Sequence, residues 1–365
     1  MQKIALSLAL GLSLFTGVAH AQTCLPKKVQ DLPKLADARE INCVTDEKGK
    51  SLGLAIVKFG DKEGMINSKG EWLLPAEYDS ILGTFEQGLT LVRKGDKYGY
   101  VDTKGKFVIN LQYTDAWNFR HTGLAQVKVD GKWGFINPKN QMVIAPQYDF
   151  VYYVINENLY TVVRDEKFGF IDKTGKEIIP IIYNHATPFS EGLATVVQEG
   201  KTGFINTKGE VVIPFIYEWA TYFENGRVDV RLNGKEGVID KKGKTIIAPI
   251  YDDLIKLDKN IYRATQGDDY VYLDKNGKHL TAFDGYQWVS AFFDGLSLAV
   301  RDGRLGYINT QGQVVIPFIY DYAQPFERGT ALVGHGDNVD ERFYIDKKGK
   351  RVTEVTKREM LDPED

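Results

Sequence analysis

Asparagine or aspartate recurs in register nine times along the chain, and such a ladder of oxygen atoms could hold metal ions. Each residue begins an Asx-x-x-Gly segment, with Asn140 replacing the glycine in the third segment. The segments are 67–70, 102–105, 137–140, 172–175, 206–209, 240–243, 274–277, 309–312 and 346–349. Calcium-binding repeats need several oxygen ligands within one loop, whereas each segment here begins with a single Asx residue among mostly lysine and threonine neighbours. We therefore expect tight Asx turns closed by a left-handed residue, and no metal site.

Catalytic chemistry has no clear set of residues in this sequence. Gly-x-Ser-x-Gly and His-Glu-x-x-His motifs are absent, and His121, His185, His279 and His335 occupy different positions of the repeat described below. No glycine-rich phosphate loop follows a predicted strand, so we expect no cofactor. Carboxylates are plentiful, and a glycosidase needs two at the correct separation. A carbohydrate-active enzyme with paired carboxylates is therefore the alternative to a non-catalytic binding protein.

Cys24 and Cys43 are the two cysteines of the chain. Their spacing differs from the Cys-x-x-Cys of redox proteins, and two nearby cysteines in an oxidising compartment usually pair. We expect a disulfide that staples a capping segment over residues 22–52. A short helix beginning at Asp31, with Pro33 in its first turn, is expected between the cysteines.

The first 21 residues have the pattern of a secretory signal peptide. Lys3 gives a positive start, residues 4–18 are apolar, and Ala19-His20-Ala21 is a small-residue cleavage site. The apolar run is short for a spanning helix, and no later run is long enough, so we expect an exported protein, periplasmic or secreted, that does not span a membrane. The formal net charge is −3 with both signs interspersed, which argues against nucleic acid as a partner.

The elements that position these residues belong to a repeat of 34 or 35 residues. Nine copies begin at Gly53, Gly88, Gly123, Asn158, Gly192, Gly226, Asn260, Gly295 and Gly329. Each copy has three β-type runs separated by turns: Gly-Leu-Ala-x-Val, x-Gly-aromatic-Ile-Asn and x-Val-Ile. The second run places consecutive apolar residues on both faces, so stacked copies should cover both faces. We expect its central glycine where another backbone or an aromatic ring passes close.

This periodicity predicts an all-β protein. Residues 53–350 should form nine three-stranded antiparallel units in an open, curved, solenoid-like array, followed by a charged tail over residues 351–365. A large β-propeller is the alternative, although propeller blades average four strands. The copy over residues 260–294 is degenerate, which suggests a bend or a docking place, and an insertion over residues 334–340 suggests capping of the last copy.

The pattern of columns, meaning equivalent positions in successive copies, resembles the WG-repeat (KWG-repeat) family. The naming dipeptide is intact at Trp133-Gly134, and Val271 and Phe343 replace the glycine in two copies. Spacing, turn, proline and a Tyr-Asp pair recur together over about 300 residues. The resemblance implies a β-repeat array of bacterial, often exported, proteins that mediate interactions, and it supplies no catalytic residues.

Candidate binding residues come from two variable columns, one before the central glycine and one two residues past the turn glycine. Early copies hold aromatic residues there, whereas later copies hold Thr202, Glu236 or His279, so packing does not require a ring and we expect both columns to face outward. Padding of neighbouring copies is the alternative. The expected partner is a protein or a cell-envelope glycan. The candidate residues are Trp72, Tyr98, Phe107, Trp133 and Phe168.

Overall fold

The computed structural model describes residues 25–30, 32–152, 159–336 and 339–352, and these are almost entirely β-strands and turns. Helix α1 spans Lys27–Gln30, and single 3-10 turns span Pro33–Leu35, Thr281–Phe283 and Val339–Glu341. The short helix predicted from Asp31 is reduced to the 3-10 turn Pro33–Leu35, and the last two residues of the predicted stretch belong to strand β1, which begins at Glu40. In the described part of the chain, no helix is long and apolar enough to cross a bilayer. The signal peptide, Cys24 and the tail beyond Val352 lie outside the described residues.

The described residues fall into two compact units, which divide between Tyr183 and Asn184. The first unit contains four sheets with the strand orders β4-β3-β2-β1-β6, β5-β7-β8-β9, β10-β11-β12-β13 and β14-β15-β16-β17, called sheets 1 to 4. The strands are β1 Glu40–Asp46, β2 Ser51–Phe59, β3 Lys62–Asn67, β4 Trp72–Tyr78, β5 Ser80–Ile81, β6 Thr84–Phe85, β7 Leu89–Lys94, β8 Lys97–Asp102, β9 Phe107–Tyr113, β10 Asp115–Ala116, β11 Ala125–Val129, β12 Lys132–Ile136, β13 Met142–Tyr148, β14 Phe150–Tyr152, β15 Leu159–Arg164, β16 Lys167–Asp172 and β17 Glu177–Tyr183.

The second unit contains five sheets, called sheets 5 to 9, with their strands in chain order. Sheets 5 and 6 contain β18 His185–Ala186, β19 Leu193–Gln198, β20 Lys201–Asn206 and β21 Val211–Tyr217, then β22 Trp219–Ala220, β23 Arg227–Leu232, β24 Lys235–Asp240 and β25 Thr245–Tyr251. Sheets 7 to 9 contain β26 Asp253–Asp258, β27 Ile261–Gln266 and β28 Asp269–Asp274, then β29 Trp288–Phe293, β30 Leu296–Arg301, β31 Arg304–Asn309 and β32 Val314–Tyr320, then β33 Tyr322–Ala323, β34 Thr330–Gly334, β35 Phe343–Asp346 and β36 Arg351–Val352.

The repeat fold is confirmed, but the expectation of three strands per copy is wrong. A short strand, such as β5 or β14, follows the Tyr-Asp pair and joins the first strand of the next copy as a fourth, outer strand. Sheet 7 alone has three strands among the described sheets. The strand-count argument against a propeller therefore no longer holds, because four strands are typical of a propeller blade.

Adjacent sheets within each unit are joined by clusters of buried side chains. The consecutive apolar residues of the second run separate between two clusters: Phe135 packs towards sheet 4, and Ile136 packs towards sheet 2. Tyr100 and Val101 divide in the same way between sheets 3 and 1. The expectation that stacked copies cover both faces of the strand is confirmed.

The Asx turns form as predicted. Asp102 Oδ1 accepts hydrogen bonds from the backbone N–H groups of Lys104 and Lys106, both at 2.9 Å, and Gly105 has a φ of +77°. All nine Asx residues accept the same pair of hydrogen bonds. Asp46 begins a tenth turn of this kind, which the sequence analysis missed, and it joins β1 to β2.

The Tyr-Asp pair and the lysine of the KWG motif are linked by electrostatics. Asp149 accepts hydrogen bonds from Lys132 Nζ at 2.5 Å and from the Asp165 backbone N–H at 2.8 Å. Asp252 accepts equivalent bonds from Lys235 and Gly267. These bonds lower the pKa of both aspartates, the lysine contributing most. The aspartate therefore links the short outer strand to the next hairpin and to the lysine that stands two residues before the central glycine.

Candidate functional site

The five candidate residues lie on four different sheets. Each packs against neighbouring side chains of the protein. Trp72 is 37% exposed and lies 6.2 Å from Phe59, measured between ring centroids. Tyr98, Phe107 and Phe168 are half-buried. The expectation that both columns face outward is wrong for Trp133, which is only 5% exposed and belongs to the core between sheets 3 and 4.

The column two residues past the turn glycine faces solvent more consistently than the column before the central glycine does. Trp72, Met142, Val211 and Val314 are all exposed, whereas Phe107 is half-buried and lies 6.0 Å from the Tyr78 ring. The column before the central glycine lies opposite the third strand, where Trp133 pairs with Tyr148. Neighbouring strands cover that column, so padding accounts for its burial.

A better candidate for ligand binding is a cavity of about 340 Å³ between sheets 3 and 4, called the aromatic cavity. Such a volume lies at the lower end of ligand pockets, which measure roughly 300–1,000 Å³. Trp117 and Phe150 are exposed by 50% and 45%, and both line it. The other lining residues are Asn118, Arg120, Leu124, Gln126, Phe135, Val151, Tyr152 and Tyr160.

Paired rings form the walls of the aromatic cavity. The Phe135 and Tyr160 rings lie 4.6 Å apart between centroids, and the Phe150 and Tyr152 rings lie 4.7 Å apart at 67°. Phe168, one of the five candidates, stacks on Tyr152 at 6.0 Å and thus supports a wall. The Tyr160 hydroxyl is bonded to Thr122 Oγ1 at 3.0 Å, which fixes its ring. These contacts hold the rings of the cavity walls against one another.

Asn118 lines the aromatic cavity and carries an unsatisfied polar atom within the wall. Its side chain is 5% exposed, and its amide nitrogen donates to the Thr84 carbonyl oxygen at 3.1 Å. Its Oδ1 atom is buried and accepts no hydrogen bond from any residue that the structure describes. A buried acceptor without a donor costs free energy, and this atom is covered by protein, so the cost lies within the cavity wall and not on its accessible surface. Gln126, which is also buried, is the second amide in the lining.

The sequence contains a signal for this cavity that the sequence analysis missed. Copies four and seven begin with asparagine, and they hold Tyr160 and Tyr262 where Ala125 and Ala194 stand in other copies. Both tyrosines line cavities at the same place between two sheets. The first cavity is aromatic, whereas the second is lined by charged residues.

Within the described ranges, no group of three or more His, Cys, Asp or Glu side chains could hold a metal ion. Burial lowers the pKa of His185. His279 contacts Asp284 at 2.6 Å, and His335 packs against Tyr320 on another sheet.

Solved structures with some likeness to this chain are remote. A eukaryotic initiation factor is 9% identical, with a TM-score of 0.38 over 82% of this chain and 95% of that chain. Hsv2 of Kluyveromyces lactis is 11% identical, with a TM-score of 0.31 over 71% of this chain and 93% of that chain. The dihydro-heme d1 dehydrogenase NirN is 13% identical, with a TM-score of 0.31 over 82% and 72%. At such low identities and TM-scores, these likenesses carry no argument about this chain.

Comparison with curated proteins finds no match. The family model of the WG-containing repeat, in contrast, matches seven segments: 64–98, 98–133, 133–168, 168–201, 203–235, 237–270 and 306–338. These segments cover most of the repeat region and agree with the KWG columns, the Asx turns and the four-stranded sheets. The chain belongs to the WG-containing repeat family.

Proposed function

We propose that this protein is an exported, non-catalytic binding scaffold whose aromatic cavity receives an apolar side chain of a protein partner. The observation that carries the proposal is a mostly apolar cavity whose walls contain the paired rings of Phe135 and Tyr160 and of Phe150 and Tyr152. Repeat scaffolds usually bind through surfaces shared by adjacent copies, as this cavity is. The pattern of residues 1–21 supports export to the periplasm or the secreted space.

A protein partner suits the aromatic cavity better than an envelope glycan does. A sugar brings several hydroxyl groups, each of which needs a polar partner when it is buried. The cavity offers Asn118 and Gln126 as buried amides and is otherwise mostly apolar. An aromatic or aliphatic side chain brings few polar groups and therefore suits this lining, and aromatic residues are common anchors of protein interfaces.

A carbohydrate-active enzyme remains the second candidate, because Asp229 and Glu224 line one cleft in sheets 6 and 7. Burial raises the pKa of Asp229, as a general acid requires. However, Glu224 accepts a hydrogen bond from Lys256 Nζ at 2.7 Å. That ammonium ion neutralises the second carboxylate, which should then be a poor nucleophile or base, so we favour binding.

Photo-cross-linking in the producing cell tests the proposed partner class. A benzophenone amino acid at Phe150, on the rim of the aromatic cavity, should give one dominant protein adduct. In a Trp117→Thr background the adduct should weaken by about tenfold or more, because removal of an interface tryptophan commonly costs roughly 2 kcal/mol. Threonine already stands at the equivalent positions Thr187 and Thr221, whose backbone N–H groups make the same cross-strand bond as that of Trp117.

The control places the same cross-linker at Trp219, which is 48% exposed but lies outside the aromatic cavity. Trp219→Asp is the matched substitution, because Asp115 and Asp253 occupy that column. The cross-linker at Trp219 should not give this adduct, and Trp219→Asp should leave the adduct formed from position 150 unchanged. The proposal fails if the adduct is a polysaccharide, if no adduct forms, or if Trp117→Thr leaves it unchanged while thermal melting shows an intact fold.

A further inference from the structure

Sheets 6 and 7 contain a second cavity at the position that the aromatic cavity occupies between sheets 3 and 4. The backbone N–H of Thr221 donates to the Asp229 carbonyl oxygen as that of Trp117 donates to Gln126, which aligns the two sites. The cavity measures about 150 Å³ and opens beside another of about 360 Å³. We call the two together the charged cleft, and its charged lining residues are Glu224, Arg227, Asp229, Lys256, Lys259 and Lys275.

Packing does not require charge at two of these positions. Arg227 occupies a column that holds leucine in Leu89, Leu124 and other copies. Asp229 occupies a column that holds Leu91 and Leu298 elsewhere, and it is half-buried. Burial of a carboxylate costs free energy, so its presence where leucine fits points to a role in recognition.

The charges of the cleft are partly engaged with each other. Lys256 Nζ donates to Glu224 at 2.7 Å, and the Arg227 guanidinium donates to the Lys275 carbonyl oxygen. Burial, more than any neighbouring charge, raises the pKa of Asp229; Lys256 opposes the rise and Glu236 and Glu224 add to it. Asp229 lines the smaller cavity, Lys259 and Lys275 line the larger one, and Lys256 lines both.

We propose that the charged cleft binds a small carboxylate ligand that also carries a hydroxyl or ammonium donor. Four cationic side chains stand against two carboxylates in the lining, which favours an anionic group on the ligand. An ionised Asp229 carboxylate can only accept hydrogen bonds, so it favours a ligand that carries an N–H or O–H donor. The exposed ring of Tyr222 and the buried ring of Tyr262 give the ligand an apolar wall. Sugar acids and amino acids share this chemistry, and the proposal does not depend on the aromatic cavity.

Saturation-transfer NMR on the intact protein can measure the binding of four small probes that test the carboxylate and the donor of the ligand separately. D-glucuronate carries a carboxylate with hydroxyl donors, L-alanine carries one with an ammonium donor, acetate carries the carboxylate alone, and D-glucose carries hydroxyls alone. We expect glucuronate or alanine to bind at least about tenfold more tightly than acetate and glucose, because only these two probes combine a carboxylate with a donor that can bond to a charged acceptor. Whichever probe binds identifies the source of the donor.

Substitutions by residues that occupy the equivalent positions in other copies test whether Asp229 and Arg227 contribute to binding. Asp229→Thr, as at Thr161 and Thr195, and Arg227→Leu should each weaken binding at least about fivefold, whereas Asp253→Ser, as at Ser80, should not. If Asp229→Thr fails to fold, the isosteric Asp229→Asn replaces it. The proposal is overturned if neither glucuronate nor alanine binds, if acetate binds equally well, or if folded Asp229 variants bind as the parent does.

Discussion

The central glycine of each copy leaves room for the backbone of the third strand. A Cβ atom built on Gly134 would lie 2.6 Å from the Ile144 carbonyl oxygen and 2.8 Å from Pro146 N. The strand pairing shifts register at the same place, between Trp133 and Phe135, so the third strand bulges towards the glycine. This geometry confirms the close backbone approach that the sequence predicts.

Two copies lack this glycine, and in both of them no bulged third strand passes over the position in the described residues. Val271 lies in sheet 7, where a 3-10 turn at Thr281–Phe283 replaces the third strand. Phe343 lies in sheet 9, where β36 pairs only with Tyr344 and Ile345. A side chain is tolerated at both positions because no bulged strand crosses them in the described residues.

Gly134→Ala should therefore destabilise the protein by about 1–3 kcal/mol, the usual cost of forcing extra volume into a packed site. Gly285→Ala is the matched control, since a Cβ there meets no atom within 4 Å and no left-handed backbone is needed. Chemical denaturation should show a lower midpoint for Gly134→Ala than for the parent and an unchanged midpoint for Gly285→Ala. Equal midpoints for Gly134→Ala and the parent would mean that the bulge relaxes without cost.

At the scale of the element, the hairpin between the second and third strands is held by its Asx residue. Asp172 Oδ1 accepts hydrogen bonds from the Thr174 hydroxyl and from the backbone N–H groups of Thr174 and Lys176. These bonds, led by that of the Thr174 hydroxyl, lower its pKa. Copies that begin the turn with Asn67 or Asn206 show that an amide makes the same backbone bonds.

Asp172→Ala should cost about 1 kcal/mol, as loss of a helix-capping side chain does, whereas Asp172→Asn should cost much less. Because folding lowers the pKa of this carboxyl, its contribution is complete above the ordinary aspartate pKa of about 3.9 and is lost as pH falls through the folded-state pKa. Denaturation from pH 7 to pH 3 should show that the parent loses this contribution and Asp172→Asn does not. A larger loss for Asn than for Ala would contradict the turn assignment.

At the scale of the whole molecule, the N-terminal segment completes the first sheet. Strand β1 pairs with β2 in the place that short strands such as β10 occupy in later sheets, because no earlier copy supplies one. Cys43 lies in β1 and packs against the cluster that contains Leu25, Val29 and Leu35. Leu25 follows Cys24 directly in the chain, so the predicted disulfide would staple this segment to β1.

We predict that the mature protein begins at Gln22, after cleavage of the signal peptide, and contains a Cys24–Cys43 disulfide. A closed loop of about 20 residues contributes roughly 3 kcal/mol in the chain-entropy model. Mass spectrometry of the protein isolated without reductant should find one cross-linked peptide pair and no residues 1–21. Two alkylated cysteines would show that the staple does not form, and a retained N-terminus would refute cleavage after Ala21.

The sequence by itself determined the period, the turns, the position of the close backbone approach and the family, because these depend on contacts within one copy. A two-residue strand such as β10 carries no periodic signal, so only tertiary pairing with the next copy revealed it. Trp133 looked like a surface ring until the neighbouring sheet covered it. The aromatic cavity joins Trp117 and Tyr160, which belong to different copies, and the packing of one sheet on the next decides which side chains meet there.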